Sequence, residues 1–345
     1  MGAFISVIVP VYNAEGSLGT CLDALVSQEG VRLQIIAIDD GSTDASGRIL
    51  DAYAAQNPDM VVVHTKNQGV GKARLEGLTR VQGDYVGFCD SGDRPDRRMY
   101  ALLLDSLLAA SAEMAVCGFE RINVAGGQRP REEMLGFASK SLVLAQDPAL
   151  LLALNTAVWN KLFKARLITQ AILNFTFPRV GEDLLLQLLL CQQVTRVSFV
   201  DQPLYHYYVQ DASLMSGVTG ADFDQLRLGL LELKNHIVRT TNNQDLLAVC
   251  DISAFVHLGL SFPLRLATTE DQSLPRMIRQ TRKVLKRDFP LYATSDLCSL
   301  ATVLRHRGRT FKLFAARLCY KLRLATFLVW FLRLSARYGW LRGYW

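Results

Sequence analysis

Absences narrow the field first. The seven cysteines are scattered and none stands in a CxxC pair. Neither a zinc site nor a disulfide framework is therefore expected, and reduced, buried thiols in a cytoplasmic protein are the reading. No glycine-rich pyrophosphate loop follows the first hydrophobic run, which leaves other nucleotide-binding α/β enzymes, such as a nucleotidyltransferase, without support. The chain enters a strand with neither a basic segment nor an apolar leader, so no signal peptide is expected. Internal repeats and low-complexity segments are missing too. No acidic residue lies beyond Asp296, where ten Lys/Arg follow.

What is present is a chain of 345 residues, half of them hydrophobic, enough for one large domain or two moderate ones with a sizeable core. The formal charge of +6, less the ten positive charges after Asp296, leaves −4 for residues 1–296. A mildly acidic body with a strongly basic tail points to an anionic partner for the tail, a membrane surface or a nucleic acid.

Three apolar runs each end in a polar cluster. Ile5–Pro10 runs into Val11-Tyr12-Asn13, Ile35–Ile38 into Asp39-Asp40-Gly41-Ser42-Thr43-Asp44, and Tyr85–Cys89 into Asp90-Ser91-Gly92-Asp93. Short continuous apolar runs bounded by turn residues read as strands buried on both faces. Helical patterns separate them (Leu18–Ser27; Ser42–Ala55, with Ser42 or Thr43 as N-cap; Gly69–Val81; Asp96–Ala110), and Val61–His64 and Ala115–Phe119 add strands. The sheet should be mostly parallel, and such a sheet binds ligand beyond the carboxyl ends of its strands. Gly126–Glu133 reads as a surface loop. Leu142–Leu154, Lys164–Ile172 and Glu182–Gln192 read as helices. Arg196–Val200 and Tyr205–Tyr208 read as strands, and everything beyond Gly220 as helix.

With these clusters placed, the sequence resembles the family 2 glycosyltransferases, inverting enzymes of the GT-A fold that move a sugar from a nucleotide diphosphate. The resemblance rests on Val7–Asn13, Ile38–Asp44, Asn67–Arg74, Gly83-Asp84-Tyr85 before Asp90–Asp93, Val158–Phe163 and Gly181-Glu182-Asp183, in family order across roughly residues 4–215. It implies a Rossmann-like, mostly parallel α/β sheet over residues 1–218, with a nucleotide-binding half at about 1–125 and an acceptor half at about 126–218. Residues 219–345 form a helical region outside the resemblance.

For chemistry, the resemblance implies that Pro10, Tyr12, Asp39 and Asp40 serve the nucleotide base, Tyr12 by stacking and Asp40 by accepting from a ring N–H. A packed Tyr12 and a turn that caps the next helix are the structural alternative. Arg74 and Ser91 join them on the donor side, and the glycines Gly69, Gly71 and Gly77 allow close approach to an anion. Asp90 and Asp93 are the expected ligands of a divalent metal, Mg²⁺ or Mn²⁺, that neutralises the leaving diphosphate. Gly92 stands where the family usually has the ligating Asp, so either Asp93 reaches the metal or Asp90 acts through a water. Inversion needs a base, and the resemblance implies Asp183, with Glu182 second; both also suit the first turn of a helix. Trp159 and Lys161 are expected near donor sugar and acceptor, Trp159 with a core role as its alternative.

In the tail, Phe311, Phe314, Leu318, Leu322, Ala325, Val329, Leu332, Ala336 and Trp340 fall on one helical stripe, with Lys312, Arg317, Arg323, Arg337 and Arg342 off it. Leu324–Leu332 is too short to cross a hydrocarbon core that needs about 20 residues. A basic amphipathic segment over about 303–345 reads as lying on an anionic membrane; packing on the body or on a second subunit is the alternative. Nucleic acid is not expected, since no recognition module accompanies the charge, and oligomerisation stays open. The expectation is an inverting glycosyltransferase. It would use a nucleotide diphospho-sugar, UDP-linked in the first instance, on a lipid-linked or surface glycan, at the inner face of the cell membrane. The rival is a catalytically weakened relative that binds sugar nucleotide or glycan as a membrane-bound assembly partner.

Overall fold

The computed structural model describes residues 3–123, 130–137, 139–209, 217–266, 273–306 and 310–337. The chain divides into two compact units, residues 1–146 with 156–213, and residues 147–155 with 214–345. A short segment after Gln146 belongs with the second unit.

The first unit is built on a ten-stranded sheet. Its strands are β1 (Phe4–Val11), β2 (Arg32–Asp39), β3 (Met60–His64), β4 (Tyr85–Phe88), β5 (Arg94–Pro95), β6 (Met114–Asn123), β7 (Arg131–Glu133), β8 (Ser141–Val143), β9 (Lys161–Lys164) and β10 (Arg196–Val209). The order is β3-β2-β1-β4-β9-β6-β10-β5, with β7 on β6 and β8 on β10. The first four strands pair in parallel, as does β10 with β6. β9 is antiparallel to both its neighbours, so the sheet is mixed. The Val/Ile runs of β1 and β2 are buried almost end to end, as strands covered on both faces must be. The covering helices are α1 (Leu18–Val26), α2 (Ser46–Ala54), α3 (Val70–Leu78) and α4 (Met99–Ala109). Parallel pairing with right-handed crossovers brings the carboxyl ends of β1, β2 and β4 to one edge, so Tyr12, Asp40 and Asp90 emerge there together.

Several elements differ from expectation. α2 begins at Ser46, because the preceding residues are engaged elsewhere: Ser42 Oγ accepts from Asn13 N–H, Asn13 Oδ1 accepts from Thr43 N–H, and Asp44 accepts from Glu15 N–H and Ser46 N–H. Neither Ser42 nor Thr43 caps the helix. Leu142–Leu154 is not one helix. β8 pairs with β10 there, Asp147-Pro148 interrupts, and only a single turn follows, α5 (Leu150–Ala153). Lys164 ends a strand rather than opening a helix, since Leu162 and Phe163 are buried between β4 and β6. A 3₁₀ turn (Ala165–Leu167) and the short α6 (Gln170–Leu173) follow. Of the expected loop at 126–133, residues 126–129 lie outside the described residues and Arg131–Glu133 pairs with β6. α7 (Glu182–Cys191) stands as expected.

The second unit holds α5 and a set of further helices: α8 (Gly220–Thr240), α9 (Gln244–Ala254), α10 (Phe262–Leu266), α11 (Leu274–Asp288), α12 (Leu291–Thr294), α13 (Leu300–Arg305), α14 (Phe311–Lys321) and α15 (Ala325–Arg337). α8 starts on a capping box, Thr219 with Asp222. α9 runs through a π-helical stretch (Phe255–Ser261) into α10. The resulting Gln244–Leu266 helix is long and apolar enough to span a membrane, but 83% of its most apolar window is buried. Phe255 stacks on Tyr292 at 5.0 Å and meets Tyr320 edge-on at 4.9 Å. The tail is not a single helix: α14 ends at Lys321, Arg323 takes a φ of 64°, and α15 starts at Ala325. The expected stripe is thereby split. Ala325 and Val329 are buried, whereas Phe311, Leu318 and Leu322 are exposed. Trp340 and Arg342 lie outside the described residues, as do the side chains of Ala336 and Arg337.

Candidate active site

The site is organised around one buried guanidinium. Arg74, 2% exposed, sits on the inner face of α3. Its Nη1 donates to Asp183 Oδ1 at 2.5 Å and to Glu182 Oε1 at 3.2 Å, and its Nη2 to Asp90 Oδ1 at 2.9 Å. Its Nε is buried without an acceptor. Three carboxylates from two distant motifs thus converge on one cation.

The glycines of α3 make that convergence possible. A Cβ on Gly77 would meet Ile8 Cγ2 at 2.5 Å, and one on Gly71 would meet Phe177 Cβ at 2.7 Å, so α3 lies close against β1 and the segment leading to α7. Gly71 and Gly77 therefore serve packing. Only Gly69, with a φ of 92°, has open space around it. Gly181 takes a left-handed φ of 86° just before α7, which sets Glu182 and Asp183 in its first turn.

Burial raises the Asp183 carboxyl to about 7; Glu182 and Asp90 add to the rise, while Arg74 and Lys161 oppose it. Glu182 is raised for the same main reason. A quarter of the Asp183 side chain remains exposed, so it is reachable from solvent. A carboxylate that titrates near neutrality is suited to taking a proton from a hydroxyl.

The expected metal pair is split. Asp93 is 2% exposed; its Oδ2 accepts from Tyr205 O–H at 2.8 Å and its Oδ1 from Tyr208 N–H at 2.9 Å. Burial and the neighbouring Asp90 push its carboxyl up to about 8. A buried acid that favours its neutral form and has both oxygens engaged does not fit a metal ligand. Of the motif's two carboxylates only Asp90 is partly exposed, and among the described residues no group of three His, Cys, Asp or Glu could hold an ion. Ser91 is half-buried, its carbonyl accepting from Ser17 Oγ at 3.2 Å.

On the nucleotide side, Tyr12 projects from the end of β1 with 52% of its surface exposed, beyond the buried Pro10. The Asp40 oxygens accept from the N–H groups of Gln68 at 2.8 Å and Gly69 at 2.7 Å, bracing the turn before α3. Asp39 accepts from Ser42 N–H at 2.9 Å and pairs with His64 Nδ1 at 2.8 Å. Those partners hold its carboxyl below the usual range although burial opposes them. Asp39 and Asp40 are thus both engaged within the protein. A cavity of about 280 Å³ borders α3, lined by Asp40, Thr65, Gln68, Lys72, Glu76 and Leu173 but not by Arg74.

Trp159 and Lys161 are not open platforms. Trp159, 6% exposed, stacks on Tyr205 at 4.3 Å and Tyr207 at 5.5 Å, with Phe119 edge-on at 4.8 Å. Lys161 is fully buried; its Nζ donates to Ala157 O and to Asn160 Oδ1, and burial lowers it to about 7. Asn160 Nδ2 donates to Cys117 O at 2.7 Å. The Trp-Asn-Lys motif therefore fastens β9 to β6 beneath the site. Sequence reasoning missed His64, the partner of Asp39, and Tyr205 and Tyr207. The alternation Tyr205-His206-Tyr207 on a strand was the available signal, since it puts both tyrosines on one face.

Comparison with known proteins agrees with this architecture. Residues 6–168 match the model of glycosyl transferase family 2. The chain is 30% identical to the glycosyltransferase GlyA of Streptococcus pneumoniae over 218 residues, covering 61% of this chain and 31% of GlyA. It is 30% identical to the uncharacterized glycosyltransferase EpsJ of Bacillus subtilis over 219 residues, covering 61% of this chain and 62% of EpsJ. The matched region thus spans about a third to three-fifths of these curated relatives. The crystal structure of S. aureus TarS 1–349 in complex with UDP-GlcNAc superimposes with a TM-score of 0.64 at 17% identity, covering 97% of this chain and 92% of that one, a likeness of fold. Ordered motifs, a GT-A sheet and these matches identify residues 6–168 as a family 2 glycosyltransferase domain.

Proposed function

We propose that the protein transfers a sugar from a UDP-sugar, with inversion, to a hydroxyl of a lipid-linked or surface glycan. The observation that carries this reading is the carboxyl of Asp183, about 7 in the fold and partly exposed, held at 2.5 Å by a buried arginine that also grips Asp90 of the donor motif. The donor class is supported by the fold shared with TarS, a protein crystallised with UDP-GlcNAc.

In a single displacement the acceptor oxygen attacks the anomeric carbon opposite the diphosphate. Asp183 takes the hydroxyl proton as the new C–O bond forms, and the bond to the diphosphate breaks with its electron pair leaving on UDP. Arg74 is a positioning residue, fixing the Asp183 oxygen and keeping Glu182 and Asp90 from repelling it. Tyr12 offers an exposed ring for the base. A divalent ion bound with the diphosphate would neutralise leaving-group charge. Asp93 does not fit that role, and no step here depends on it.

A second reading is favoured by Gly92 and the buried Asp93: a relative that binds sugar nucleotide without turning it over. One experiment separates them. UDP-sugars are incubated with glycan acceptors, and the anomeric configuration of any product is read by NMR. A β-linked product from an α-linked donor supports inversion. Retention refutes it, and UDP binding without transfer or hydrolysis selects the second reading.

A further inference from the structure

We infer that the second unit carries a binding surface for an anionic lipid bilayer, formed by α11 together with α14 and α15 rather than by the basic tail alone. α11 reads Leu-Pro-Arg-Met-Ile-Arg-Gln-Thr-Arg-Lys-Val-Leu-Lys-Arg-Asp, with no acid before Asp288. Met277, Ile278, Thr281 and Leu285 are its buried side, while Arg276, Arg279, Lys283 and Lys286 are exposed. α15 packs against α11 and α14. It buries Ala325 and Val329 and exposes Phe327, Trp330 and Phe331, spaced to share one face; the Phe327 ring lies 5.9 Å from Trp330 and 6.4 Å from Phe331. Between α14 and α15 the corner exposes Leu322 and Leu324 beside Lys321 and Arg323.

Two features decide the occupant. The chemistry is paired: large apolar rings and leucines are exposed on α15 and its corner, exposed cations line α11, against which α15 packs, and no acid follows Asp296. An aqueous surface gains nothing from exposing Phe327 at 61% and Trp330 at 51%, whereas a bilayer interface takes the rings among its acyl chains and the cations among its phosphates. The long apolar Gln244–Leu266 helix is not the contact, since it is mostly buried. Anionic headgroups attract each nearby basic residue, so the four α11 cations predict a strong preference for charged lipid.

The test is co-sedimentation of the full chain with vesicles of phosphatidylcholine alone or mixed with phosphatidylglycerol. The expected result is at least about tenfold stronger binding to the anionic vesicles, falling as salt screens the headgroups. Arg276→Glu/Arg279→Glu/Lys283→Glu should abolish the anionic preference. Phe327→Ser/Trp330→Ser/Phe331→Ser should reduce binding at least about tenfold even at low salt. All six positions are exposed, and unchanged circular dichroism and thermal melting confirm that the variants fold. Equal binding to both vesicle types, or none to either, overturns the inference. An aromatic variant that binds like the parent reduces the surface to a basic patch open to any polyanion. Lipid-free self-association that the aromatic variant disperses assigns the face to a second copy instead.

Discussion

Asp183 Oδ1 and Arg74 Nη1 stand 2.5 Å apart, although 109 residues separate them in the chain. Arg74 lies on α3, held close to β1 by Gly77, and Asp183 lies in the first turn of α7. The pair ties the donor half of the site to the half that carries the proposed base.

Asp183→Asn should lower kcat by about 10²–10⁴-fold, the usual worth of a general base, while the Kd for UDP changes little. In the parent, kcat should rise with pH through about 7 as the Asp183 carboxyl loses its proton. The pH–rate profile of parent and variant checks both. Full turnover by the variant excludes Asp183 as the base.

Arg74→Gln removes the cation that lowers Asp183. The rising limb of the pH–rate profile should move to higher pH, and the fold should lose about 3–5 kcal/mol because three carboxylates are left without their partner. Arg74→Lys keeps the charge but cannot fork to three acceptors, so it should restore the limb more than the rate. A profile that stays in place in the Gln variant means that Arg74 does not tune the base.

Asp93 bears on stability and metal together. Its folded value, about 8, is above that of the unfolded chain. It therefore stabilises the fold below about pH 4, and that contribution is lost as pH rises through about 8. Asp93→Asn does not ionise, so its melting temperature should fall less than the parent's between those limits. Calorimetric titration with UDP, with and without Mn²⁺, should give the variant the parent's Kd and metal response. A lost metal response would return Asp93 to the metal.

Gly77→Ala places a methyl 2.5 Å from Ile8 Cγ2. The expected cost is about 1–3 kcal/mol by denaturant unfolding, with a loss of activity as α3 and its Arg74 shift. A variant of unchanged stability and rate would mean that α3 has room to move.

Much of the first unit was legible because its signals are local. The Val/Ile runs of β1 and β2 stop at turn residues, and Gly181-Glu182-Asp183 opens a leucine-rich helix. β9 was not legible, since four residues with two lysines become a strand only through their neighbours on either side. α2 started late because Ser42, Thr43 and Asp44 answer to the loop at 13–15, a contact that no local window contains. The tail's periodicity was real, but a left-handed residue at Arg323 turned one stripe into two helices with different buried sides.

By itself the sequence determined the α/β class, the order of the motifs, the carboxylates at the strand ends and the basic bias after Asp296, since periodicity, turn chemistry and charge are written residue by residue. Tertiary structure alone decided which of those acids share a cation and which are engaged elsewhere. Asp90, Glu182 and Asp183 meet Arg74, whereas Asp93 turns to Tyr205 and Tyr208, and Trp159 goes into the core. The reason is physical: a carboxylate's role is set by the dielectric and the donors around it, and distant parts of the chain supply both.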